Sequence, residues 1–330
     1  MGKIDFVILW VDGNDPKWKE EKEKYKKTKE NDVNRFRDWE NLQYWFRGVE
    51  KYAPWVNKIH FITWGHIPEW LNTKHPKLNI VKHTDFIPKE YLPTFNSNVI
   101  ELNLHRLQDL AEQFVLFNDD MFLCKKTKES DFFKDGKPCE MYAENINMPL
   151  GYNNSFSHTA LNNIGIINKY FTKKEVMKKN IGKYFNFKYG IDNMRTLFLL
   201  PWPQYAQFKD PHIPVALLKS TLNLLWEKET EALITTSKNR FRENTDINQY
   251  LIRYWQLLTG NFYPRTKKIG KYFEIKENNK DLLRAIKEQK YKMICINDAD
   301  TAIDIDFEKE KNKIIEAFDE ILHEKSEYER

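Results

Sequence analysis

Short apolar runs alternate along the first third of the chain with longer stretches in which apolar residues recur every three or four positions. Ile4 to Val11 is nearly all apolar, the pattern of a strand buried on both faces of a parallel sheet. Ile59 to Thr63, Leu78 to Val81 and Phe114 to Phe117 read in the same way. Between them, the stretch 35–55 places Leu42, Trp45, Phe46 and Val49 on one helical face and is closed by Pro54. After Pro93, the spacing of Ile100, Leu104, Leu107 and Leu110 predicts a second amphipathic helix. Alternating strands and helices predict an α/β fold: a Rossmann-like, mostly parallel sheet flanked by helices.

The pattern changes after Cys124. Residues 125–137 form a basic, turn-rich loop, 141–156 is rich in asparagine, and 164–190 reads as helical but highly charged, which predicts a helical insertion or second subdomain. Pro214 marks the start of an amphipathic helix running to Trp226. A further helix over 240–255 carries a buried stripe of Ile247, Tyr250, Leu251 and Tyr254, with Asp246 at its N-terminal end. Tyr291 to Ile296 reads as a late strand. A charged helix from Phe307 onward turns Ile314, Ile315, Phe318 and Leu322 inward. The Lys- and Glu-dense stretch from Lys17 to Asp32 reads as a solvated helix or mobile linker.

Composition narrows the function classes. With 10 Trp, 16 Tyr and 22 Phe the chain is not globally disordered. Fifty-three basic against 48 acidic residues give a net charge of +5, which suits anionic substrates or membrane headgroups. The basic residues are interleaved with acids and never form a stripe, which argues against nucleic-acid binding. Cys124, Cys139 and Cys295 lack metal-ligand spacing, and their odd number argues against a disulfide framework, so a reducing cytoplasm is the expected setting. The first apolar run is too short for a signal peptide and no stretch is long enough to cross a bilayer. The expected location is cytoplasmic, with room for peripheral contact at the inner face of the cell membrane.

Candidate chemistry gathers at strand ends. Asn118, Asp119 and Asp120 follow the Phe114–Phe117 run, where open α/β sheets place ligands. Two adjacent acids among apolar residues call for a partner such as a divalent cation, and Glu101 can point toward the same crevice. The plainer alternative is an Asn-Asp-Asp turn closing a hairpin. Asn297, Asp298 and Asp300 repeat the pattern after the late strand. Asp12, Gly13, Asn14 and Asp15 after the first strand form either a plain turn or a nucleotide-binding loop. Arg35, Arg37 and Arg47 would suit a diphosphate through the planar guanidinium, the alternative being surface ion pairs. His212, between Pro211 and Pro214, is expected at a helix N-terminus, which favours a neutral imidazole; a structural role is the alternative. Arg242 precedes a helix, placed to face a ligand.

Taken in order, these landmarks resemble the Stealth family of hexose-1-phosphate transferases. IDFVILWVDGNDPKW (Ile4 to Trp18) is similar to the first of its four sequence regions. The stretch from RFRDWENLQYW through LPTFNSNVIELNLHRL to FNDDMFL is similar to the second. FKDPHIPVALLK through RFRENTDINQYLIRYWQ is similar to the third, although its lead-in differs from the usual one, and ICINDAD with the following helix is similar to the fourth. Residues 171–205 match no part of the family pattern, and acceptor choice is expected to be encoded there.

The resemblance implies a single catalytic domain over 1–330. Within it, 1–124 is the nucleotide-sugar-binding α/β half, 125–205 a variable acceptor-side insertion, and 206–330 the part that completes the active site. It places the catalytic residues at Glu101, Asp120, His212 and Arg242, a metal (Mg²⁺ or Mn²⁺) on Asp120 and Asp298, and the nucleotide end at Asp12, Gly13 and Asp15, with Arg37 beside it. The implied reaction moves a sugar 1-phosphate from a nucleotide-diphosphate sugar, a UDP-hexose or UDP-N-acetylhexosamine, to a hydroxyl of an oligosaccharide or lipid-linked glycan. It releases UMP and builds a phosphodiester into a bacterial surface polysaccharide. In this scheme His212 is the first choice as general base and Glu101 the second. Two other readings stand beside it: a metal-dependent glycosyltransferase that releases UDP, and a non-catalytic carbohydrate-binding protein with aromatic stacking platforms.

Overall fold

The computed structural model describes residues 2–26, 38–149, 154–298 and 306–330. Its organising element is a five-stranded sheet. Four strands are parallel neighbours: β1 (Ile4–Leu9), β2 (Ile59–Thr63), β3 (Leu78–Lys82) and β4 (Gln113–Asn118), in the spatial order β4-β1-β2-β3. A short strand β5 (Met121–Leu123) follows β4, and β6 (Val215–Leu218) lies antiparallel on the outer side of β4. The α/β class and the mostly parallel sheet are therefore as the periodicity predicts.

Every residue of β1 is buried, and its side chains divide by parity as a pleated strand requires. Ile4, Phe6 and Ile8 enter one core with Trp45, Phe46 and Val49 of helix α2 (Leu42–Tyr52), following α1 (Pro16–Tyr25), and with Ile314, Phe318 and Leu322 of the C-terminal helix. Val7 and Leu9 enter the opposite core with Ile100, Leu104 and Leu107. Burying one such large apolar side chain contributes roughly 1.5–3 kcal/mol, so this alternation holds the sheet between two helical layers. Asp5 is the exception in the run. Burial alone would raise its carboxyl, but bonds from His60 Nε2 (3.0 Å), Asn57 Nδ2 (2.6 Å) and the Ala111 N–H (2.8 Å) outweigh that and hold it below the ordinary value.

A second sheet sets β5 antiparallel to β8 (Met293–Asn297), which runs parallel to β7 (Gly270–Glu274). The two sheets are joined through the Asp119–Asp120 turn. That turn does not close a hairpin, because β4 and β5 pair into different sheets.

Several elements depart from the sequence reading. Helix α1 is not a purely solvated face, because Trp18 and Lys22 are buried. Helix α3 (Ser97–Asn103) gives way to a 3₁₀ turn at Leu104–Arg106 instead of continuing to Leu110. The segment after Pro214 begins as strand β6, and the helix starts only at Lys219. Four consecutive apolar residues do not distinguish strand from helix by period, and pairing with β4 decides the matter. Arg47 is not available to a diphosphate: its guanidinium grips Glu329 through two bonds of 2.8 Å and donates to the Leu322 carbonyl. Arg35 and Arg37 lie outside the described residues, as does Asp300.

After β5 come short strands at Phe133–Lys134, Lys137–Glu140 and Glu144–Asn145, and then the helices α4 (Ser155–Tyr170), α5 (Lys173–Tyr184) and α6 (Asp192–Leu199). Helix α7 (Lys219–Lys228) follows β6, α8 (Tyr250–Leu258) carries the buried stripe Tyr250, Leu251 and Tyr254, and α9 (Phe307–Leu322) closes the fold. Among the described residues no helix is long and apolar enough to cross a membrane.

Candidate active site

The carboxyl ends of the central strands converge. Asn118 of β4 stands beside Leu9 of β1, so the 119–120 acids and the 10–15 loop leave the sheet side by side. The next strand, β2, leads to His66, whose Nε2 accepts the Asp12 N–H at 2.7 Å. Within the 10–15 loop the carboxylates serve the local turn: Asp12 accepts from the Asn14 N–H, and Asp15 caps α1 by accepting from the Trp18 N–H, each at 2.8 Å. Gly13 is buried in that turn.

Asp119 stands exposed, yet loss of hydration among the crowded strand ends pushes its carboxyl up to about 7, with the neighbouring Asp120 charge adding to the effect and Asp38 contributing a smaller push. Burial also raises Asp120, while His212 and the Cys295 thiol pull it back. Cys295 Sγ donates to Asp120 Oδ2 at 3.1 Å, and His212 Nε2 lies 3.9 Å from the same oxygen. Asp120 Oδ1 is buried and has no hydrogen-bond partner. The ligand atoms of Asp120, His212 and Cys295 all lie within 4.8 Å of one another. On the other side, the Ile296 N–H donates to the Asp120 carbonyl at 2.8 Å, so β8 carries Asn297 and Asp298 to the same strand ends.

His212 does not sit at a helix N-terminus. It occupies the turn before β6 with a left-handed backbone (φ 45°), and so the expected helix-dipole effect on its imidazole does not apply. Its position is set from three sides. Its Nδ1 is bonded to the Tyr250 hydroxyl at 3.0 Å, the Tyr272 ring meets it edge-on at 5.5 Å, and Asp210, two residues earlier, is fixed by Arg253 of α8 at 2.7 Å. Arg253 also pairs with buried Glu140, so the turn rests on a buried ionic network.

Glu101 approaches from α3. It is buried, its Oε2 has no hydrogen-bond partner, and burial pushes its carboxyl up to about 7 against the opposing charge of Arg242 and a hydrogen bond from the Gln249 N–H. Arg242 donates to Ser97 at the start of the same helix, 3.0 Å away. The loop bearing Arg242 is held by Asp246, which is fully buried and accepts from Asn96 (2.8 Å), Asn98 (3.0 Å) and Asn239 (2.8 Å). Asp246 thus stitches a loop and is not a helix cap. Residues 249 and 250 at the start of α8 join the two halves of the site: the backbone of one bonds Glu101 and the hydroxyl of the other bonds His212.

The structure therefore brings Asp120, His212 and the Asp298 strand end together, and places Glu101 within the electrostatic influence of Arg242. Sequence reasoning missed Tyr250, Cys295 and Asp38. Tyr250 reads as one more residue of an apolar stripe, and Cys295 meets its partner across 175 positions, a distance no local motif reports.

Residues 2–30 match the family model described as Stealth protein CR1, conserved region 1, and residues 35–140 match Stealth protein CR2, conserved region 2. The chain is 47% identical to a capsular polysaccharide phosphotransferase WcwK of Streptococcus pneumoniae, covering 100% of this chain and 99% of the relative. It is 41% identical to the exopolysaccharide phosphotransferase cps2G of Lactiplantibacillus plantarum, covering 99% of this chain and 96% of the relative. A receptor polysaccharide phosphotransferase WefC of Streptococcus gordonii is 40% identical, with 99% of each chain covered.

Proposed function

The chain belongs to the Stealth family and is a transferase enzyme, and from that premise we propose that it moves a sugar 1-phosphate from a UDP-sugar to a glycan hydroxyl of a surface polysaccharide. The observation that carries this reading is the meeting of His212 with half-buried Asp120, whose buried Oδ1 has no partner, at the carboxyl edge of the sheet. The acceptor oxygen attacks the phosphorus that bears the sugar. A new P–O bond forms, the P–O bond to the UMP moiety breaks, and UMP leaves with the bridging oxygen. His212 Nε2 takes the acceptor's proton, while its Nδ1 stays bonded to Tyr250. Arg242 steadies phosphoryl charge, and Glu101 holds Arg242 toward the site. The loop at Asp12, Gly13 and Asp15, with Arg37, receives the nucleotide end.

A divalent cation fits the oxygen donors present. Asp120 Oδ1 is buried without a partner, Asp119 is adjacent and open to solvent, and Asp298 follows the end of the neighbouring strand. Carboxylate oxygens are the donors that Mg²⁺ and Mn²⁺ prefer. Bound there, the ion would draw charge from the phosphoryl oxygens. Asp120→Asn keeps the side-chain shape, so the variant should fold with an unchanged circular dichroism spectrum and lose at least about a hundredfold in UMP release. Chelation with EDTA should do the same to the native enzyme. Full turnover in either case removes the metal and Asp120 from the reaction.

A further inference from the structure

Helix α6 is amphipathic in the wrong sense for a helix in water. Its inward face carries Asp192 and Thr196, both buried, whereas Met194, Leu197 and Phe198 face outward. The helix cannot roll to bury them. Asp192 is held by Lys209 Nζ (2.9 Å) and Lys267 Nζ (2.7 Å), and the Thr196 hydroxyl accepts the Glu144 N–H (3.2 Å). Phe198 is 69% exposed, and the flanking residues extend the apolar surface: Phe187 is 86% exposed, Ile191 75% and Trp202 60%. Contiguous exposure of large apolar side chains marks an interaction surface.

Charge identifies the partner. Residues 173–202 hold seven Lys and Arg against two acids; Lys173 and Asp192 are buried in ion pairs, which leaves six basic residues against Glu175. Helix α5 lies beside α6, tied by Lys173 Nζ to the Leu199 carbonyl (2.7 Å) and by the Asn186–Asn193 bonds at the turn between them. It exposes Lys174, Lys178 and Lys179. A second copy of the chain on this surface would bring these lysines against their own equivalents, whereas anionic headgroups complement them.

We propose that the α5–α6 hairpin docks on an anionic lipid bilayer, its outward Phe, Leu, Ile and Trp residues entering the headgroup boundary and its lysines pairing with headgroups. Lys209 and the Gln207–Phe208 strand lead from this hairpin directly to His212. On the function proposed above, docking presents the site to acceptors carried by the membrane.

The test is co-sedimentation of the enzyme with vesicles of phosphatidylcholine alone or mixed with phosphatidylglycerol, alongside its circular dichroism spectrum and urea unfolding. The native enzyme should sediment with the mixed vesicles only, less as salt rises. Lys174→Gln, Lys178→Gln and Lys179→Gln together should weaken binding by about fivefold per lysine. Leu197→Ser with Phe198→Ser should abolish it, and both variants should keep the native circular dichroism spectrum and urea midpoint. These positions are exposed, and an unchanged spectrum and midpoint certify the fold. The inference is overturned if native enzyme does not bind the mixed vesicles, or if both variants bind as well as native. It is equally overturned if sedimentation equilibrium shows a dimer that Leu197→Ser with Phe198→Ser dissolves without any vesicle binding.

Discussion

His212 is held with φ at 45°, a conformation that costs a β-carbon-bearing residue energy and persists only where its surroundings impose it. Tyr250, Tyr272 and the Asp210–Arg253 pair supply that constraint. Asparagine tolerates left-handed backbone, so His212→Asn isolates the loss of the imidazole better than alanine would. The expected outcome is a fall in kcat of about a hundredfold or more with KM for the donor nearly unchanged, because donor binding rests on other groups. A KM effect without a kcat effect would make His212 a binding residue instead. Glu101 makes a separate prediction through its titration. Its carboxyl is at about 7 in the fold, raised first by burial and opposed by Arg242, against 4.5 for a free glutamate. The folded state binds the proton more tightly, so this group's stabilisation is complete below 4.5 and is lost as pH rises through about 7. Glu101→Gln should therefore match the native unfolding free energy near about pH 4.5 and exceed it near about pH 8, by on the order of 1–3 kcal/mol in urea unfolding. A variant that is less stable at the higher pH would show that Glu101 is ionised and paired in the fold.

The strands and helices that carry these residues differ in how plainly the sequence announces them. Strands β1, β2 and β4 and helices α2 and α9 follow from local periodicity, because each buries a continuous run or a single stripe. Strand β6 does not, because Val215–Leu218 becomes a strand only by pairing with β4, a hundred positions away in the chain. The same is true of the Asp119–Asp120 turn, whose flanking strands separate into two sheets. Packing between elements sets how firmly that turn is held. Helix α2 crosses the end of β5 at Gly48, where an added β-carbon would stand 2.8 Å from the Leu123 carbonyl oxygen. The contact is backbone and cannot yield, so Gly48→Ala should lower stability by about 1–3 kcal/mol in urea unfolding. Because β5 begins next to Asp120, the displaced strand should also lower kcat. An unchanged urea midpoint would mean that α2 shifts freely over β5.

Across the whole molecule, the candidate site draws on residues from Asp12 to Asp298, and no single stretch of sequence contains it. The residues carried over from the family pattern were legible because their motifs are local: IELNLHRL, FNDD, DPHIP and RFREN. What holds them was not legible. The Asn96–Asp246 bond, the Tyr250–His212 bond and the Cys295–Asp120 bond join positions separated by 150, 38 and 175 residues. The C-terminus closes the molecule in the same long-range way, with Glu329 gripping Arg47, an arginine whose sequence context suggested a ligand. The central claim is that phosphorus travels with the sugar. Phosphorus NMR of the glycan product formed from a UDP-sugar tests it directly. A phosphodiester resonance in the glycan, with UMP as the released nucleotide, is the predicted result; a phosphorus-free glycan with intact UDP released would contradict it.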